Sequence, residues 1–268
     1  MNHSARHFLL LTSSAALLMS GCFEVEQKIT IKRNMSGTAA MDFKMDMEPM
    51  VYMMAFMRKA MAGGGENAEV TPADFKAAKK QFIDGQGEDM KTKMGQSKKD
   101  LIESLPEGVK LERYKAKNGD LNVDVAALLS FDHVKKLSQI DMDTVSPGPA
   151  APGGAKADSG PFGGLNFKED ARTFSFSTKF DNPAAAQGSM GGMGEGGPEN
   201  LPGKTGQVIR KALDRASFKV SIDAPFKVLE HNATQVRGST LIWKFDYKAM
   251  KALQESGKAL EIMARFAK

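Results

Sequence analysis

Apolar residues recur at every second position in short runs along most of this chain. Phe23, Val25, Ile29 and Ile31 alternate with polar neighbours in "FEVEQKITI". Met41, Phe43, Met45 and Met47 alternate with Asp42, Lys44 and Asp46 in the next run. A period of two places one face of a strand in the core and the other in water. The "NMSG" turn at 34–37 joins these runs into a β-hairpin. A second hairpin is predicted over 109–116 and 121–131, around Asn118 and Gly119, because Asn-Gly favours a tight hairpin turn. Further strands are expected at 173–180, 218–223, 226–230, 239–245 and 259–266.

Helical signals interrupt the strands. Pro49 suits the first turn of a helix over 48–61, ended by the glycines at 63–65. Thr71, Pro72 and Asp74 form a capping-box start for a helix that Gly85 is expected to end. Ser97 and Asp100 repeat that signature before Leu101, Ile102 and Leu105. Shorter helices are expected at 132–140, 207–216 and 246–256. Residues 130–137 and 244–253 both read strand, Phe-Asp, helix, with Asp132 and Asp246 as expected caps. Antiparallel strands with segregated helices make an α+β fold with an antiparallel sheet. Two Pro/Gly/Ala/Ser-rich stretches, near 145–164 and 183–206, lack periodicity and read as disordered loops of one composite domain over 22–268. Two separate domains are the alternative.

Residues 1–21 have the form of a signal peptide: Arg6 in a short n-region, then the apolar run "FLLLTSSAALLM". That run is shorter than the roughly 20 residues a bilayer span needs. It leads into "LMSGCFEV", which holds Cys22, the sole cysteine of the chain. With one cysteine no internal disulfide forms. The stretch resembles the lipobox of bacterial lipoproteins, with Met19 in place of the usual Leu, then Ser20, Gly21 and Cys22. The resemblance implies a diacylglyceryl group on the Cys22 thiol, cleavage before Cys22, and often an acyl chain such as palmitate on the new amine. Two or three acyl chains hold a protein stably. Phe23 stands where Asp signals inner-membrane retention, so the class implies the outer membrane, on its periplasmic face. The order of hairpin, helical insert, "LPEGV" strand, "SFD" helix and late Trp strand is more loosely similar to the LppM-like lipoproteins of mycobacteria. That similarity implies a lipid-facing α+β module.

The chemistry-bearing residues are few. Mature histidines are His133 and His231, and no H-x-x-x-H, C-x-x-C or G-x-S-x-G motif occurs. No catalytic constellation, metal set or cofactor is implied, and the expectation is a protein that is not an enzyme; a carboxylate-only envelope enzyme is the third alternative. "PGKTG" at 202–206 lacks the P-loop spacing and reads as linker. "NAT" at 232–234 matches the N-glycosylation pattern by chance. The formal net charge of +5 is spread along the chain, and lysine-rich "KAAKKQ" lacks interleaved aromatics, so nucleic acid is not an expected partner.

The methionines are the unusual feature. Met50, Met53, Met54, Met57 and Met61 fall at i, i+3, i+4, i+7 and i+11, one face of one helix. That face is read as core, as an adaptable groove for apolar partners, or as a soft thioether site for Cu(I). The expected function is a lipid-anchored envelope protein that binds or scaffolds, its partners the membrane and a lipid or envelope protein. A periplasmic Met-rich copper-binding lipoprotein is the alternative.

Overall fold

The structure is a computed structural model that describes residues 23–65, 68–140, 166–180, 201, 203–256 and 260–268. Cys22, residues 1–21 and most of the two low-complexity stretches lie outside these residues.

The first hairpin is β1 (Phe23–Ile31) and β2 (Gly37–Asp46), antiparallel from Phe23↔Met45 to Ile31↔Gly37. Helix α1 (Glu48–Lys59) follows, closing in a π-turn over Ala60–Gly64 where Gly63 takes φ 107°. Next come α2 (Pro72–Ser104), β3 (Val109–Asn118) and β4 (Asn122–Phe131). A 3-10 turn (Val134–Gln139) leads on to β5 (Asn166–Glu169) and β6 (Thr173–Phe180). Then α3 (Gly203–Arg215), β7 (Ser217–Asp223), β8 (Lys227–His231) and β9 (Gln235–Arg237) precede β10 (Thr240–Asp246), α4 (Tyr247–Glu255) and β11 (Leu260–Ala267).

Among the described residues the strands form two sheets. The larger has the order β3-β4-β2-β1-β7-β10-β9, and the smaller β5-β6-β11-β8. The fold is α+β, with the helices clustered apart. One pairing departs from the antiparallel expectation: β1 and β7 run parallel, from Glu24↔Ser217 to Thr30↔Asp223. Hairpin signals reveal only neighbours in sequence, and paired residues of these two strands, such as Glu26 and Lys219, stand 193 positions apart.

The two sheets share a core. Ile29, Leu129, Phe131, Ile222, Leu241 and Trp243 of the larger sheet belong to one buried cluster with Phe174, Phe176, Ile262 and Phe266 of the smaller. Phe174 and Phe266 stack at 4.8 Å between ring centres. Gln27 keeps the phase of Val25 and Ile29, is also buried, and sits in register between Met41 and Val220. The helices cover the other end of the same face. Val51, Tyr52, Ala55 and Phe56 of α1 cluster with Ala78 and Phe82 of α2 and with Val123 and Val125 of β4.

Three helical readings are corrected. Gly85 does not end its helix, and Ser97 is not an N-cap: α2 runs unbroken from Pro72 to Ser104. A glycine inside a helix costs only about 1 kcal/mol relative to Ala, and the following Gln-, Glu-, Lys- and Met-rich run carries the helix onward. The stop comes at Leu105, held extended (ψ 130°) before Pro106. The second correction concerns Asp132. His133 is the N-cap of the 3-10 turn, its Nδ1 accepting from the Lys135 N–H at 3.3 Å. Asp132 instead pairs with Lys136 at 2.9 Å, which lowers its carboxyl pKa below the ordinary value. Asp246 does cap α4, accepting from the Ala249 N–H at 2.9 Å. Third, the "KTG" part of "PGKTG" is helical, since α3 begins at Gly203.

The Thr71 capping box forms as expected. Thr71 Oγ1 accepts from the Asp74 N–H at 3.3 Å, and Asp74 Oδ2 accepts from the Thr71 N–H at 2.9 Å. Lys59 Nζ also reaches Asp74 Oδ2 at 2.9 Å and donates to the Glu69 carbonyl at 2.6 Å. These bonds tie the end of α1 to the start of α2. They hold the Asp74 carboxyl far below the usual carboxylate range, the Thr71 hydroxyl contributing most.

Candidate functional site

At 3.6 residues per turn, α1 has two unlike faces. Val51, Tyr52, Ala55 and Phe56 point into the core. Met50, Met54, Met57 and Met61 lie on the opposite side, with Met53 at the boundary. Burial follows this division. Met50, Met54 and Met57 are half-buried, Met53 is buried, and Met61 is 66% exposed.

The methionines divide between two surroundings. Met50 and Met54 border the main helical cluster. Met53 is buried with Ile209 and Leu213 of α3, and Met57, Leu201 and Tyr247 edge this small cluster. The result is a thin apolar seam between α1, α3 and the start of α4. Helix α3 supplies its wall because its apolar residues repeat at helical spacing: Ile209, Ala212 and Leu213 are buried and Lys211 and Asp214 exposed. Sequence reasoning found the methionines and missed Leu201, Ile209, Leu213 and Tyr247. The amphipathic pattern of α3 was the available signal.

The entry to α3 is tightly built. Gly203 takes φ +63°, and a side chain on Gly206 would collide with the Leu201 carbonyl, 1.7 Å from the Cβ position. Lys204 turns toward α1, its Nζ 5.6 Å from the centre of the Tyr52 ring. A hydrogen bond with Tyr52 raises the Lys204 pKa above its ordinary value. This lysine braces α3 against α1. Tyr52 also packs on Phe75 of α2, 4.4 Å between ring centres.

The two described histidines serve turns. His133 caps the 3-10 turn as described, lies 3.5 Å from the Glu169 carboxylate, and meets Phe167 edge-on. His231 ends β8 and accepts from the Ala233 N–H at 3.1 Å. Among the described residues no three His, Cys, Asp or Glu side chains gather as a metal site would require. No helix among them is long and apolar enough to cross a membrane.

Comparison with known proteins gives one distant likeness in structure. The NMR structure of the Mycobacterium tuberculosis LppM folded domain is similar at a TM-score of 0.42 and 11% identity, over 92% of this chain and 90% of that one. No protein-family model matches the sequence, and no curated protein matches it.

Proposed function

We propose that this chain is a lipid-anchored cell-envelope protein that acts by binding or scaffolding, with the seam beside the methionine face of α1 taking an apolar ligand such as a lipid acyl chain. The observation that carries the reading is the orientation of α1. Its aromatic face is committed to the core, while Met50, Met54 and Met57 stay half-buried on the other side. Methionine has three rotatable bonds and a polarizable sulfur, so a surface built from it repacks around varied apolar shapes. Cys22 is the proposed site of diacylglyceryl attachment, and with Phe23 behind it the outer membrane is the expected location.

A fluorescent fatty acid or phospholipid added to the purified protein tests the reading. Uptake is expected, with emission blue-shifted as the probe leaves water. Met57→Trp, which fills the seam beside Leu201 and Tyr247, should weaken uptake about tenfold and leave the thermal midpoint nearly unchanged. Absence of uptake by the wild-type protein, or equal uptake by both forms, would remove the ligand reading.

A further inference from the structure

We infer that the protein meets the bilayer directly, with the end of the larger sheet that carries Phe23 resting on the phospholipid headgroups. This inference rests on the acylation of Cys22 proposed above. Reach decides the placement. Strand β1 begins at Phe23, already paired with Met45 on one side. On its other side β1 is in register with β7 from Glu24↔Ser217 onward. Cys22 is the very next residue, and consecutive Cα atoms lie about 3.8 Å apart. No linker separates the acylated residue from the sheet. An anchor whose chains sit in the bilayer therefore brings the first residues of β1 to the interface.

The register identifies what comes with it. Lys44 lies opposite Glu24, Asn122 opposite Asp46, and Asp246 opposite Ser217. The start of β1, the end of β2, the start of β4, the start of β7 and the end of β10 thus share one end of the sheet. Helix α1 leaves from this end after Asp46, α4 leaves after Asp246, and α3 arrives there at Arg215. The charges at this end are mixed: Glu24, Asp46, Glu48 and Asp246 stand with Lys44, Arg215 and Lys248, and Glu24 and Lys44 pair at 3.9 Å. Neither sign dominates, so the short tether, rather than charge attraction, selects the face. Met50, in the first turn of α1, falls beside the bilayer, which sets the methionine seam where an acyl chain would enter or leave. The opposite end of β1 lies about 26 Å further along the strand at 3.3 Å per residue. It carries the turn with Arg33, which faces the aqueous side.

The test uses the full-length protein, purified with its acyl chains and placed in vesicles of phosphatidylethanolamine and phosphatidylglycerol. Nitroxide labels are put on Lys44→Cys, Lys248→Cys and Arg33→Cys, one at a time; acylated Cys22 carries no free thiol. Collision with a water-soluble nickel chelate should be several-fold lower at 44 and 248 than at 33. Inserting about 12 Gly/Ser residues between Cys22 and Phe23, a spacer of roughly 20 Å, should raise both to the level at 33. Intact-mass spectrometry on the same samples reports the acyl chains. Equal accessibility at all three positions with Cys22 acylated overturns the docking and leaves the anchor standing. Absence of acyl chains on Cys22 overturns both.

Discussion

Trp243 donates its indole N–H to Asn232 Oδ1 at 2.7 Å. The same oxygen accepts from the Met263 N–H at 2.8 Å, and Asn232 Nδ2 donates to the Glu261 carbonyl at 3.0 Å. Trp243 belongs to β10 in the larger sheet, and Glu261 and Met263 to β11 in the smaller. One amide side chain therefore fastens the two sheets together at a wholly buried tryptophan. Asn232→Ala should cost about 2–4 kcal/mol, because two donors lose their acceptor. Asn232→Asp keeps the acceptor oxygen and should cost less. Urea denaturation of the two variants measures the order; a larger loss for Asp would contradict the bridge.

Gly37 opens β2 where the chain passes close to its neighbours. A Cβ at this position would stand 1.9 Å from the Thr30 carbonyl oxygen and 2.8 Å from the Phe131 ring. Backbone cannot retreat as a flexible side chain can. Gly37→Ala should destabilise the protein by about 2 kcal/mol or more, the scale of an overpacked core. An unchanged denaturation midpoint would show that the strand slides aside freely.

Asp170 turns the chain between β5 and β6. Its carboxylate accepts from the Thr173 hydroxyl and from the Arg172 and Thr173 N–H groups, each at 2.7 Å. The hydroxyl contributes most, and together they lower the Asp170 pKa from 3.8 to about 2. A carboxyl depressed on folding adds stability that is fully present above its unfolded pKa and is lost as pH falls through the folded one. The contribution should therefore fade between about pH 4 and pH 2. Thr173→Val removes the O–H donor and should move the Asp170 titration, followed by carbonyl-carbon NMR, back toward the ordinary range. A midpoint unmoved by the substitution would place the cause elsewhere.

The parallel β1–β7 pair joins a strand that precedes the low-complexity stretches to one that follows them. Composition predicts that trypsin enters the Pro/Gly/Ala-rich stretch at Lys156. The two fragments should then elute together from a sizing column and part only in denaturant. Independent elution of folded fragments would favour the two-domain arrangement.

Cys22→Ser removes the thiol on which acylation depends. Cells expressing the variant should accumulate an uncleaved precursor that incorporates no fatty-acid analogue. Equal labelling of variant and wild type would end the lipoprotein reading.

Much of this molecule was legible in its residues. The alternation in 23–31 and 38–47 and the Thr71–Asp74 box each act within about ten residues, so the chain itself specifies them; the second hairpin also forms, but Asn118 pairs with Val123 inside it and the bend falls at Asp120 and Leu121 rather than at Asn118-Gly119. The methionine spacing likewise announced an apolar helix face. What it could not announce was which way that face turns. Both sides of α1 are apolar, and the choice falls to Val51, Tyr52, Ala55 and Phe56 because β4 and α2 offer them a matching surface. Gly85 and Ser97 misled for a related reason: local breakers weigh about 1 kcal/mol, less than the helix formers around them supply. Asn232 drew notice only for a chance "NAT" match and gave no sign of its bridging role, since that role exists only once Trp243 and Met263 arrive from either side. The parallel β1–β7 pair and the division into two sheets are of the same kind. Local hydrogen bonding and alternation set the elements; the burial of faces distant in sequence, which no short window contains, set their partners.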